Sequence, residues 1–240
     1  MKHIPIKYVR EDPGVGNADD SSDAKESTGM LERLVADLRG QLATLSAGAA
    51  ALRRADLQLQ LGRALVRLEK RPAAWAAARE AFDLYLAEQA YEGAAQACDI
   101  LFLAEQPQSL AALGQGIWLA VTYPVDPELS IALLQHVVEE TPPDADGAAV
   151  AAVTAYYLVD LRARDPQREH LLLYANQVLA TVARRHSGVD GQQAFNKWIE
   201  DMELNDPALF LPRLRNVVDV LVQDDWWFDR EALQAALPVT

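Results

Sequence analysis

The chain reads as an all-α protein: an α-solenoid of stacked helical hairpins behind a flexible, extended N-terminal arm. Three observations predict this. From Met30 onward apolar residues recur at helical spacing, with no convincing strand in 30–240. Three apolar stretches open on the same dipeptide: Asp126-Pro127, Asp165-Pro166 and Asp206-Pro207. These starts are spaced by about 40 residues, one helix pair each, which is the signature of a helical repeat.

Residues 1–29 stand apart. In "IPIKYVR", Ile4, Ile6 and Tyr8 alternate with other residues, and Pro5 argues against a central strand. "EDPGVGNADDSSDAKESTG" follows, rich in Asp, Ser and Gly. It has too little apolar surface to offset its ordering entropy and reads as a flexible acidic linker. The repeat domain is placed at 30–240.

Leu31, Leu38, Leu45, Leu52 and Leu59 recur every seven residues. The matching d positions (Leu34, Gln41, Gly48, Ala55, Gly62) make a poor coiled-coil seam. Val35, Leu42 and Ala49 widen the stripe into the face of a helix packed on a body, with Gly40 and "SAGAA" interrupting or bending it. The alternative is a homodimer through the 31–59 stripe. "LQLQLGRALVRLEK" ends at Arg71-Pro72, and "PAAWAAAREAFDLYLAEQ" and "YEGAAQACDILFLAE" continue the helical pattern. At each Asp-Pro start, the acid accepts bonds from free N–H groups of the first turn, and proline at N1 lacks an N–H that would be unpaired anyway. Further helices are expected near 146–164 and 189–203. Pro212 should kink the last long helix or delay its start. About eight to eleven helices result.

Between residues 57 and 140 the chain resembles the tetratricopeptide-repeat family. The residues that carry this are Leu61-Gly62-x-x-Leu65, Ala78-x-x-x-Phe82, Tyr85 with Tyr91-x-x-Ala94, and Leu113-Gly114-x-x-Ile117, with Pro107 near a repeat end. The resemblance implies a right-handed, TPR-like superhelix that serves as an adaptor or scaffold binding proteins or peptides.

Composition narrows the partners. The 240 residues carry a net charge of −13, and 50% are apolar. An acidic chain lacks the concentrated Lys and Arg that nucleic acid or an anionic membrane requires, so a protein partner is expected and nucleic acid is not. No apolar run approaches the ~20 residues of a membrane span. With one cysteine, Cys98, and no apolar leader in "MKHIPIKYVREDPG", a cytoplasmic protein is expected.

Chemistry-bearing motifs are sparse. His3, His136, His170 and His186 have no His or Cys at i+3 or i+4, and no C-x-x-C occurs. His136 and His170 read as packing residues. "DADG" at 144–147 lacks the third acid of a calcium loop, and Ala155 stands where its bidentate Glu would be. Neither Gly14-Val15-Gly16 nor Gly114-Gln115-Gly116 completes a nucleotide loop; the second pair reads as a close helix approach. Cys98 sits mid-helix as a structural thiol. Lys70-Arg71 and Arg184-Arg185 read as helix C-termini. No catalytic residue, cofactor or metal is expected.

The expected function is a non-catalytic protein–protein interaction adaptor, accessory subunit or assembly factor. The alternative is a small-molecule enzyme or ligand-regulated sensor with a pocket between helices. Candidate partner-binding residues are Ile4, Ile6 and Tyr8 in the arm, Trp118 and Tyr123 in "GIWLAVTYP", and Trp226 and Trp227 in "QDDWWFDREAL". In the last stretch Asp229 reads as an N-cap, with Phe228 and Leu233 at the spacing of a hydrophobic staple. At least one of the two Trp should cover the open end of the superhelix. Trp is also enriched at binding hot spots.

Overall fold

The computed structural model describes residues 21–46 and 50–237, with side chains from Thr28. Ile4, Ile6 and Tyr8 therefore lie outside the described residues. Among those described there are eleven α-helices and no strand. The first five are α1 (Ser21–Thr44), α2 (Ala51–Arg67), α3 (Arg71–Ala87), α4 (Tyr91–Leu103) and α5 (Ser109–Thr122). The rest are α6 (Pro127–Glu140), α7 (Asp146–Arg162), α8 (Arg168–Ser187), α9 (Gln192–Asp201), α10 (Pro207–Val222) and α11 (Arg230–Ala235). None is long and apolar enough to cross a membrane.

Helices α1 to α9 pack consecutively. α2, α4, α6 and α8 form one row, each touching the next. The intervening α3, α5 and α7 each pack on both of their neighbours in that row. α10 then turns back and packs on α5 and α7. Its face is a strict i, i+4 stripe of Phe210, Leu214, Val218 and Val222, all buried. One large core runs through α2 to α10, and a smaller one joins α1, α2 and α3 around Leu38, Leu61 and Leu65.

The short hairpins have a common local cause. α2 ends with Glu69 at φ 54°, where Lys70 N–H reaches Leu65 O and Glu69 N–H reaches Val66 O, both at 2.9 Å. This is a Schellman closure. Gln89 repeats it after α3, and Glu203 after α9. After α4 the motif is modified: Gln106 N–H donates to Ser109 Oγ, which donates to Leu101 O, each at 2.8 Å.

Arginines from other helices satisfy further terminal carbonyls. Arg162 donates to Ala120 O and Val121 O at the end of α5. Arg185 reaches Val138 O on α6, and Arg213 reaches Met202 O after α9.

Several expectations are corrected. Asp126 and Asp206 do cap α6 and α10, accepting from the N–H groups of Glu128 and Ala208. Asp165 does not cap α8, because the helix starts three residues later, at Arg168, with Gln167 at its N-cap. α1 runs through Gly40, so the break falls between Thr44 and Ala51 and divides the leucine stripe between two helices. Leu38 and Leu59 are buried, while Leu52 is exposed. α1 also takes in residues 21–29, where Ala24, Lys25 and Glu26 favour helix. Pro212 lies inside α10 without delaying its start at Pro207. Arg71 opens α3 rather than closing α2, whereas Arg184 and Arg185 do close α8. Asp146, in "DADG", is the first residue of α7. His136 packs between helices, 3.0 Å from Asp99, but His170 is exposed.

Candidate functional site

The residues with the most unusual surroundings meet where the C-terminal segment crosses α3 and α5. Helix α10 delivers the chain back over the odd-numbered helices, and this return needs glycine on α5. A Cβ on Gly114 would stand 2.5 Å from Val222 Cγ2 and 3.0 Å from Leu221 Cβ. Two residues along and on roughly the opposite face, a Cβ on Gly116 would stand 2.7 Å from Cys98 Cβ on α4. The Gly-Gln-Gly run thus lets α5 approach a helix on each side, and it leaves Gln115 fully buried between them.

α10 ends in a tight turn. Gln223 has φ 53° and ψ −124°, and Asp225 N–H reaches Val222 O at 3.0 Å. Residues 223–229 then run without helix until Asp229 caps α11 through Ala232 N–H. Gln115 grips this stretch by its main chain: its carboxamide oxygen accepts from Trp227 N–H at 2.9 Å, and its amide donates to Asp225 O at 3.4 Å. Gln108 donates to the Asp225 carboxylate at 2.8 Å.

The rings interlock beneath it. Trp227 stands edge-on to Phe82 at 5.2 Å and to Trp75 at 6.1 Å, and the Arg79 guanidinium lies 4.2 Å from its ring centre. Trp118 on α5 meets Phe228 at 5.2 Å and Trp226 at 6.3 Å. Arg230 covers Trp226 at 3.9 Å while bonding Asp219. Each of these cation–π contacts contributes roughly 0.5–1 kcal/mol near the surface. Trp226, Trp227 and Phe228 remain half-buried, whereas Phe82 and Gln115 are fully buried.

Four of the seven expected binding residues therefore converge. Trp226 and Trp227 sit against α5 and α3, and Trp118 lies between them and Tyr123. Tyr123 stacks on Tyr91 at 3.7 Å. Burial, and then a hydrogen bond with Tyr91, push its phenol up to about 12. The expectation that one Trp covers the open end of the array is corrected, since α10 carries both back to α3 and α5. Phe228 and Leu233 both pack against the main core. Sequence reasoning missed Trp75, Arg79, Phe82 and Gln115 as neighbours of the segment. The only available signal was the polar Gln set between two glycines in an apolar helix.

Elsewhere, Cys98 is fully buried, and that burial pushes its thiol upward. His170 lines an apolar groove of about 320 Å³ between α6 and α8, with Ile131, Leu171 and Tyr174. Among the described residues no group of three His, Cys, Asp or Glu side chains is placed to hold a metal ion. No family model matches the chain, and neither a curated protein nor a solved structure does.

Proposed function

We propose that this chain is a non-catalytic protein–protein interaction adaptor, accessory subunit or assembly factor of a larger complex, and that its helices form a TPR-like right-handed superhelix. The observation that carries the reading is the clamp on residues 225–227. A helical array grips a non-helical segment by its main chain through Gln115 and by its side chains through an aromatic floor. This is the chemistry a peptide-binding scaffold needs: main-chain bonds give affinity and pockets give selectivity. The repeat reading is supported by Gly62 and Ala78: a Cβ on Gly62 would stand 3.2 Å from Ile100 Cγ2 and 3.5 Å from Ala78 Cβ, so small residues let α2, α3 and α4 approach closely. Affinity purification at native expression, followed by reconstitution with the purified partner, tests the function. A stoichiometric binary complex is expected. Failure to reconstitute any partner would overturn the reading.

A second reading has one observation behind it. A cleft of about 250 Å³ lies between α5, α10 and α11, lined by Trp118, Leu214 and Val218 with Arg215, Arg230 and Glu231. It falls below the ~300–1,000 Å³ usual for small-molecule sites. A thermal-shift screen against metabolites discriminates: a saturable shift lost in Arg230→Ala would favour a ligand-regulated sensor.

A further inference from the structure

The C-terminal segment is held as a ligand is held rather than as a core element. A core strand or helix satisfies its main chain within its own secondary structure. Here a buried side-chain carboxamide does so, bonding Asp225 O and Trp227 N–H, main-chain groups that do not depend on the side chains at those positions. The floor is complete, with Phe82 and Gln115 fully buried. The three aromatics lying on it are only half-buried. The chain enters the floor through Gln223, whose left-handed backbone is unfavourable for a residue with a Cβ. A good binding surface, an imperfectly buried occupant and a strained hinge coincide.

We propose that α3 and α5 form a peptide-recognition groove, that residues 223–229 are its tethered occupant, and that a partner protein displaces them with a non-helical aromatic segment flanked by acids. This rests on the interaction reading above and deepens it by naming what the groove recognises. The occupant specifies the chemistry. Aromatic side chains meet Trp75, Phe82 and Trp118, the Arg79 guanidinium favours an electron-rich ring, and Gln108 receives a carboxylate. Tethering places the cis segment at an effective concentration on the order of millimolar, so the closed protein binds a competing segment weakly until the tail is released. A second copy of this chain is the poorer occupant. It brings the same segment at the same intrinsic affinity against that local excess, and each copy carries a net charge of −13.

The test uses the full-length chain and a fluorescent synthetic peptide of residues 221–236. Hydrogen exchange read by mass spectrometry is expected to show 223–229 opening at least 100-fold faster than α3 and α5. Excess peptide is expected to accelerate tail exchange further while α3 and α5 stay protected. Trp227→Ala, which weakens the occupant but leaves the floor intact, is expected to raise peptide affinity at least tenfold. Adding Gln115→Ala is expected to reverse that gain. The proposal is overturned if the wild-type tail exchanges only at the rate of α3 and α5. It is equally overturned if a folded Trp227→Ala chain does not bind the peptide, or if tails exchange between copies at micromolar protein. Should Trp227→Ala fail to fold, the wild-type exchange experiment decides alone. A reconstituted partner that binds unchanged under saturating peptide would sink the groove while leaving the interaction reading standing.

Discussion

Glu69, Gln89, Glu105 and Glu203 hold left-handed positions where glycine is the commonest residue, and all four side chains are exposed. The strain of a Cβ there outweighs the extra freedom glycine gives the unfolded chain. Glu69→Gly is therefore expected to stabilise the protein by about 0.5–1 kcal/mol, raising Tm by a few degrees in calorimetry. Arg162 presents the opposite case. Its guanidinium satisfies carbonyls at the end of α5, and its removal leaves half-buried acceptors unpaired. Arg162→Met is expected to cost about 1–3 kcal/mol in urea unfolding, although the aliphatic stem is preserved.

At the scale of elements, the three Asp-Pro pairs separate a real cap from a false one. Asp126→Ala and Asp206→Ala should each cost about 1 kcal/mol, because each removes an observed N-cap bond. Asp165→Ala should change stability much less, since α8 starts beyond it. Equal losses at all three sites would contradict the assignment. Gly114→Ala should cost about 1–3 kcal/mol by driving a Cβ into Val222 and Leu221, and it should loosen α10 before α2 and α3 in hydrogen exchange. Helices were legible in sequence because 3.6-residue periodicity, caps and breakers are local signals. That is why α3, α4, α6 and α10 fall where the apolar stretches predicted them. The Asp165 error has the same root: the dipeptide is a local match, but α8 starts beyond it, at Arg168. The site where the C-terminal segment crosses α3 and α5 was legible only by its parts. Trp118, Trp226 and Trp227 stood out singly, but their meeting depends on α10 turning back, which no local pattern encodes.

Across the whole molecule, buried acids set the alkaline limit. Burial pushes the Cys98 thiol and the Tyr85 phenol upward, the latter aided by the Asp56 carboxylate, and Tyr123 rises to about 12. An acid kept neutral by folding contributes its full stability below its unfolded value and loses it as pH rises through the folded one. Tm should therefore be insensitive to these groups at neutral pH and fall once pH passes about 9 for the thiol and about 10 for the phenols. Tyr123→Phe should flatten part of the decline between pH 10 and 12. A Tm that stays level to pH 12 would refute the burial assigned to these groups.

The return of the tail also dictates an order of events during synthesis. The bond between Gln115 and Trp227 joins residues 112 positions apart, whereas each Schellman closure joins near neighbours. Local hairpins gain their contacts early, while a long loop must be closed before the tail is rewarded. As the chain emerges from the ribosome, α2 to α7 are complete while residues 207–237 are still being made. The aromatic floor of α3 and α5 is then bare, and the nascent chain passes through a stage at which its stickiest surface has no cover of its own.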